Sequence, residues 1–446
     1  MTTVEVVRLK QQARRDLAQA DKKEGLLASA EGELFGGVYG RDTAITCIFL
    51  SELAKIRPVK EFQKNNKKYL LTLTKNQGTK IDPETGEKPG EIQHENLSGP
   101  AIQPKLVEMQ KDPKSLWPVK GPEGKLYLEN WYSADATPLY LAACGEYIKT
   151  SDDWEFFHQI KPNILAALNW MEEYGGLNKY GYVVYQGEDS PLVNQGWKDS
   201  WNSILTPEGK HPQEPIALVE VQGYVYWAYN TCAAMFEKTA EIEFARKLRA
   251  KAGQLKERFN RDFWMEGEQF AAFALDGEGN QIKDIVSNAG HLLITGILDE
   301  DRAAKVVERL MQADIWTPYG IRTLSEKSPN FRFSEDDPKI QAEAYHNGSV
   351  WPFDSTLVAL GMLKYGLVKE AATLVKGVLS AVLQLGDVEL HQVSPHPEWK
   401  LVPYLKAAKP QTWTSASTLL CIKLLSVLRR EGITNLFGKE IQLKTV

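Results

Sequence analysis

The sequence predicts a nearly all-helical protein of paired helices, and three observations carry that expectation. Apolar residues recur at helical spacing in segment after segment, strand-like alternation is confined to scraps such as "YGYVVYQ" and "EQFAAFAL", and no Pro/Gly/Ser-rich linker interrupts the 446 residues. Ile242, Ala245, Leu248, Ala252, Leu255 and Phe259 fall on one stripe, and Ala371, Leu374, Val375, Val378, Leu379 and Val382 on another, as a 3.6-residue period requires. The same pattern places helices near 5–21, 42–55, 60–76, 134–149, 153–174, 215–238, 299–313, 350–365 and 411–429. "SDDWEFF" and "LDEDRAAKVV" put acidic residues in first turns, where free backbone N–H groups favour negative charge. Roughly a dozen paired helices without an obvious repeat period allow either a solenoid or a closed toroid of helical hairpins.

Composition narrows the class. Hydrophobic residues make up 43% and charged residues 25%, an ordinary globular balance that argues against disorder. A net charge of −5 gives no basis for a nucleic-acid or anionic-membrane partner. Cys47, Cys144, Cys232 and Cys421 lie far apart and form no CxxC, so they read as buried free thiols in a reducing compartment. The first residues contain no continuous apolar stretch and no later run approaches a membrane span, so a cytoplasmic location is expected. Without a linker, the whole of 1–446 is expected to be one catalytic domain.

The loops decide between solenoid and toroid. "GELFGGVYGRDTA", "LYLENWYSADATPLYL", "GEDSPLVNQGWKDSW", "EAYHNGSVWPFDS" and "DVELHQVSPHPEWKLVPY" are long, aromatic-rich and adjacent to predicted helices. In a toroid such loops converge at one end on a central cavity, and a rigid scaffold carrying a loop-borne site is the expected result. A scaffolding solenoid has no need of Trp, Asp, Asn, His and Gly mixed this way.

Several chemistries fit poorly. "GGVYG" has glycines but no following GK[ST] and no preceding strand, so nucleotide binding lacks its context. His391 and His396 near Glu389 fit no helical ligand pair, and no metal or cofactor is expected. No G-x-S-x-G supports a nucleophile elbow. What recurs is carboxylates beside indoles: Asp42, Asp135, Asp199, Glu220, Asp354 and Glu389. A pyranose has an apolar face and a rim of hydroxyls, which aromatic platforms, carboxylates and amides match. Cleaving its glycosidic bond needs two carboxyl groups, one acid and one base or nucleophile.

The chain resembles the amylo-α-1,6-glucosidase family, the glucosidase part of glycogen debranching enzymes and their bacterial relatives. The resemblance runs in order through "YGRDTAIT", "GEIQHE", "SADATPLYL", "NQGWKDSW", "PIALVEVQGYVY", "SNAGHLLITGI", "YGIRTLS", "YHNGSVWPFD", "DVEL" and "PQTW". It implies an all-α, (α/α)6 toroid of six helical hairpins with small β-hairpins in the loops. It also implies an exo-acting, inverting hydrolysis of α-glucosides, with an α-glucoside as the carbohydrate partner.

By position, the resemblance makes Asp199 the general acid and Glu389 the residue that activates water. It makes Arg41 and Asp42 holders of the terminal glucose hydroxyls. It lines the sugar pocket with Tyr39, Glu95, Asp135, Trp197, Lys198, Glu220, Gln222, His346, Asn347, Trp351, Gln411 and Trp413. Trp197 and Trp201 are expected to desolvate Asp199 and raise its pKa, while Glu389 needs a wetter setting near His391 and Gln392. Structural roles compete at several positions. Arg41 and Asp42 can be an ion pair at a helix start. Asp135 precedes "ATPLYL" as an N-cap would. Asp354 can bond backbone at its helix start, and Trp351 and Trp413 can be core.

The sequence also departs from the family pattern. Only residues 1–38 precede "YGRD", where many relatives carry a β-rich domain, and 446 residues leave no room for a separate transferase barrel. Asn96-Leu97 follow "GEIQHE" where relatives place an arginine, and "DVEL" replaces a commoner proline-containing form. A small α-glucoside, such as sucrose or a glucosylated compatible solute, therefore stands as the alternative substrate. A silent sugar-binding toroid, an epimerase and a phosphorylase are the alternatives from other classes.

Overall fold

The computed structural model describes residues 1–33, 35–112, 115, 117–122, 124–187 and 190–428. Glu188 and Asp189 of the predicted "GEDSPLVNQGWKDSW" loop lie outside the described residues, as does the chain from 429, where the last predicted helix was to end. In chain order the helices are α1 (Thr3–Ala20), α2 (Gly40–Ile56), α3 (Lys60–Lys75), α4 (Gln103–Lys111), α5 (Ala136–Ser151), α6 (Trp154–Glu173), α7 (Leu177–Tyr180) and α8 (Val219–Lys238). They continue as α9 (Ile242–Asp262), α10 (Asn288–Thr295), α11 (Glu300–Leu310), α12 (Pro338–Ala344), α13 (Pro352–Lys364), α14 (Val368–Leu385) and α15 (Thr412–Leu428).

Burial separates these helices into two rings. Helices α2, α5, α8, α10, α13 and α15 each pack on the next, and α15 packs back on α2, which closes the ring and excludes an open solenoid. Around them stand α1, α3, α6, α9, α11 and α14, each against an inner neighbour. Residues 40–54 of α2 and all of α10 are buried, as helices surrounded on every side must be. Outer α9 buries only Ala245, Leu248, Ala252, Leu255 and Phe259. Five of the six residues of the predicted stripe are thus its core face, and Ile242 at the helix start is 47% exposed. The architecture is an (α/α)6 toroid.

Local signals hold the outer helices in place. Thr2 and Glu5 form a capping box on α1, and Asp153 accepts from the Phe156 amide at 3.0 Å to start α6. The short helices α4, α7 and α12 sit in connecting segments, and periodicity gave no sign of them or of α10, whose eight buried residues have no polar face. "YGYVVYQ" forms only a bridge, Tyr185 to Ile216, whereas "EQFAAFAL" supplies the short strands Phe270–Ala271 and Ala274–Leu275. All four cysteines are buried free thiols. Among the described residues no helix is long and apolar enough to cross a membrane.

Because the chain alternates between rings, the inner helices run parallel and begin at the same end. Tyr39, Asp135, Leu218, Ser287 and Trp351 stand immediately before inner helices, and Gln411 immediately before α15. The motifs of the sequence thus gather at one end of the ring. An antiparallel sheet lies beside it, ordered Val38–Tyr39, Glu95–Leu97, Tyr127–Asn130, Val119–Lys120.

Candidate active site

Asp199 stands in the loop before α8 and is tied to the ring by Arg41. The Arg41 guanidinium donates through Nε to Asp135 Oδ2 at 2.7 Å, through Nη1 to Asp199 Oδ2 at 3.2 Å and through Nη2 to the Gly196 carbonyl at 2.7 Å. One buried cation thereby joins the starts of α2 and α5 to the Asp199 loop. Gly196 lets this loop sit tight on α8, since a Cβ there would lie 2.3 Å from Leu218 Cδ1. The Asp199 side chain remains 28% open, and burial pushes its carboxyl above the ordinary range while Arg41 opposes that rise.

Glu389 comes from the segment after α14. Its Oε1 accepts from Tyr345 Oη at 2.6 Å and its Oε2 from the Ala408 amide at 3.1 Å, and burial raises its pKa to about 7. The adjacent His346 accepts or donates at Nδ1 with Ser200 Oγ, 2.9 Å away. Consecutive residues of "YHNG" therefore hold the two carboxylate segments, Tyr345 at Glu389 and His346 beside Asp199. The charge on Asp199 adds to the upward push on Glu389.

The remaining predicted residues separate into two groups. At the ring's mouth, Tyr39 donates to Glu95 Oε1, and Asn130 Nδ2 donates to Glu95 Oε2 at 3.0 Å. The three are direct cross-strand neighbours, Tyr39 opposite Glu95 and Glu95 opposite Asn130, so their side chains share a face. Asp42 accepts from Gln411 Nε2 at 2.9 Å and is raised by burial to about 8. Glu220 is fully buried, neither oxygen has a hydrogen-bond partner, and burial holds it at about 7.

Other residues already spend their polar groups on the protein. Gln222 bonds Val183 through both amide ends and also donates to the Leu218 carbonyl. Asn347 donates to the Asn202 carbonyl at 2.7 Å, Trp351 to the Tyr345 carbonyl at 3.0 Å and Lys198 to the Thr323 carbonyl at 2.5 Å. Burial lowers Lys198 to about 8. Trp413 stacks on Phe353 with ring centres 3.9 Å apart.

Four expectations need correction. Trp197 is buried, but Trp201 is 63% exposed and shields nothing. Glu389 does not sit in a wet setting; Tyr345 and Ala408 are its partners, and His391 and Gln392 are buried with no hydrogen-bond partner on their side chains. His391 and Gln392 are instead adjacent residues of a strand paired with Pro403 and Val402, so their side chains point to opposite faces and cannot both turn to Glu389. Asp135 precedes α5 but makes no side-chain cap bond, its carboxylate being taken by Arg41 and Ser133 Oγ. Asp354 bonds no backbone: its Oδ1 lies 2.6 Å from His291 Nε2, while His291 Nδ1 lies 2.6 Å from Tyr224 Oη.

That last chain, Tyr224–His291–Asp354, is a polar floor under the Asp199 loop. Trp197 stacks on His291 at 5.8 Å and meets Phe353 and Trp351 edge-on. His291, Tyr345 and Asn130 all lie in stretches the sequence singles out, "SNAGHLLITGI", "YHNGSVWPFD" and "LYLENWYSADATPLYL", but none of the three had an assigned role. Each owes its importance to a contact across the ring. Among the described residues no three His, Cys, Asp or Glu side chains group as a metal ion would need.

Comparison with known proteins agrees with this architecture. The amylo-alpha-1,6-glucosidase family profile matches residues 120–417. No curated protein matches the sequence. Among solved structures, the chain is similar to the GH63 mannosylglycerate hydrolase from Thermus thermophilus in complex with Tris, at 15% identity and a TM-score of 0.64 over 92% of this chain and 99% of that one. The same enzyme in complex with glucose matches at 14% identity over the same shares, also with a TM-score of 0.64. A glycosidase variant in complex with glucose matches at 11% identity and a TM-score of 0.56, over 96% of this chain and 99% of that one. At these identities the structures speak for the fold; the profile, covering about two thirds of the sequence, speaks for the family. The chain belongs to the amylo-α-1,6-glucosidase family and is a glycoside hydrolase.

Proposed function

We propose that this protein is an exo-acting, inverting α-glucoside hydrolase working as one catalytic unit, with Asp199 as general acid and Glu389 as the base that activates water. The observation that carries the reading is the paired bridge from "YHNG": Tyr345 donates to Glu389 while His346 bonds Ser200, the residue after Asp199. Two carboxylates 190 positions apart (389 − 199) are thereby brought to one cavity end. Arg41, Asp42, Glu95, Glu220 and Gln411 surround them with the donors and acceptors a sugar rim needs. The starts of six inner helices add positive partial charge around both carboxylates.

An acid and a base acting from opposite faces leave room for water, with carboxyl groups roughly 6.5–9.5 Å apart. An α-glucoside is then expected to release β-glucose first. Proton NMR before mutarotation tests this on maltose, isomaltose, sucrose and glucosylglycerol, with and without phosphate. Initial α-glucose would reject inversion, and glucose phosphate would reject hydrolysis.

A second assignment exchanges the two roles. Glu389 is the carboxyl held at about 7, and Asp199 is the one beside a guanidinium, the usual pattern of an acid and its ionised partner. Rescue separates the two. If Asp199 is the acid, Asp199→Asn is hit less on substrates with activated leaving groups, and Glu389→Ala recovers with azide. The exchanged roles give the opposite pattern.

A further inference from the structure

A cavity of about 500 Å3 lies against the Asp199 loop, and none of the sugar-site residues expected from the sequence lines it. Its volume falls within the roughly 300–1,000 Å3 of small-molecule sites. The hydrogen bond from the Ala134 amide to the Gln195 carbonyl, 2.8 Å, runs between the two spaces, since both residues line this cavity while the next residues, Asp135 and Gly196, hold Arg41. Three motifs therefore serve both sides. "GEIQHE" sends Glu95 to the catalytic mouth and Glu91 to the second cavity; "SADATPLYL" divides between Asp135 and Ser133, and "NQGWKDSW" between Asp199 and Gln195.

The lining has a definite chemistry. Tyr174 and Tyr180, 37% and 39% exposed, stand on the wall with Tyr132 and the buried Trp170. Lys179 Nζ sits over one face of Tyr180 at 4.7 Å, and the remaining aromatic faces of the wall offer platforms for flat apolar rings. Lys88 and Lys179 face Glu173 across the lining, and with Glu91 largely protonated near neutral pH the cavity carries a small positive charge that a neutral ligand tolerates. Glu91 is only 2% exposed; its Oε2 meets no hydrogen bond of good geometry, and the Trp170 indole and the Lys88 backbone are the nearest groups that offset its burial. A buried carboxyl oxygen left unbonded is costly unless something else meets it. Burial also pushes Glu91 to about 8 against the pull of Lys88, so near neutral pH it can offer a proton as well as lone pairs.

We propose that this cavity is a second carbohydrate site, which takes a neutral, α-linked glucose oligosaccharide on Tyr174 and Tyr180 with Glu91 bonding its hydroxyls. The identity of the sugar rests on the α-glucoside reading of the catalytic pocket; the existence of the site does not. A ligand here touches the same loop that presents Asp199, through Ser190 and Gln195, so the site holds a sugar chain against that loop.

The test measures maltotriose binding by calorimetry, and glucose release from a short α-glucoside, for the parent protein and for the double variant Tyr174→Ala/Tyr180→Ala. Both tyrosines are more than a third exposed, so the variant is expected to keep the parent Tm. Asp199→Asn serves as the inactive background for stoichiometry. The expected result is two maltotriose sites in that background. The tyrosine pair weakens one of them about tenfold or more, as loss of two aromatic platforms implies, and turnover of the short substrate stays within about twofold. Glu91→Gln, which keeps the shape, weakens the same site and no other. Unchanged maltotriose binding in both variants overturns the second site even if glucose release is normal. If the parent releases glucose from no α-glucoside yet the tyrosine pair still removes a maltotriose site, the catalytic reading falls and the second site stands.

Discussion

The two ends of the inner ring solve the problem of buried charge in opposite ways. At the end where the helices finish, Lys55 of α2 bonds Glu52 at 2.5 Å and Glu146 of α5 at 2.7 Å, Trp227 of α8 donates to Glu146, and Lys364 of α13 caps the Ile294 carbonyl of α10. Lys55 holds Glu146 below the ordinary carboxylate range, whereas burial and the neighbouring Glu146 raise Glu52, which keeps Lys55 as its ionic partner. At the end where the helices begin, Glu220 has no partner, Asp354 Oδ2 and Gln411 Oε1 have none, and Asp42, Glu220 and Glu389 are all pushed upward by burial. Closing a ring of parallel helices needs charge compensation at both ends. The finished end satisfies its own charges, whereas the beginning end keeps polar atoms unspent, which is where a ligand's hydroxyls have something to gain.

Mutations at the two ends are therefore expected to separate activity from stability, beginning with the largest effect. Asp199→Asn should lower turnover of poor-leaving-group α-glucosides by roughly 10² to 10⁴ while the melting temperature stays near that of the parent. Equal losses on substrates with good and poor leaving groups would show that Asp199 only binds. Glu146→Gln, at the far end, should do the reverse. It removes one of the two carboxylates that hold Lys55, at a cost of about 1.5–3 kcal/mol in chemical denaturation because Glu52 stays paired, with kcat/KM of the remaining folded enzyme unchanged. A loss of activity without a loss of stability would abolish the distinction between the ends.

Glu220→Gln should stabilise. A carboxyl whose folded pKa lies above its unfolded value binds extra protons in the native state, so stability falls as pH rises from its ordinary 4.5 through about 7. That displacement corresponds to roughly 3 kcal/mol by pH 8. The variant should melt higher than the parent at pH 8 and alike at pH 4, and the same Tm at both pH values would sink the argument. Tyr345→Phe should give the smallest change. Its hydroxyl stabilises ionised Glu389, so its loss raises the Glu389 pKa further and shifts the acidic limb of the kcat/KM profile to higher pH. The expected penalty is a few-fold below pH 7 and shrinks above it, about 1 kcal/mol for one hydrogen bond. An unmoved limb would remove Glu389 from the base role.

Much of this was written in local sequence, and the reason is periodicity. The stripes of outer α9 and α14 required nothing but spacing, because a helix with one wet face records that face in its residues. The ten motifs identified the family for a related reason: most occupy the turn before or the first residues of an element, where backbone geometry and chemistry constrain several neighbours together, while "NQGWKDSW" lies in the long loop ahead of Ala217–Leu218. Gly348 in "YHNGSVW" is an example, with φ +142 and a Cβ that would lie 2.5 Å from the Arg332 carbonyl.

What sequence alone determined was thus the helical class, the outer faces and the cluster of residue types that suits a sugar. Only tertiary structure decided which of those residues keep a free polar atom. Trp201 and Trp197 flank Asp199 equally in the chain, yet one faces solvent and the other lies on His291. Gln222 and Glu220 share a motif two positions apart, yet the amide is consumed by Val183 and Leu218 and the carboxylate by nothing. Asp135 looked like a cap and became the partner of an arginine 94 residues away. Closure of the ring makes these choices, because a side chain's partners are set by whichever helix start the toroid brings opposite it, and that neighbour has no fixed distance along the chain.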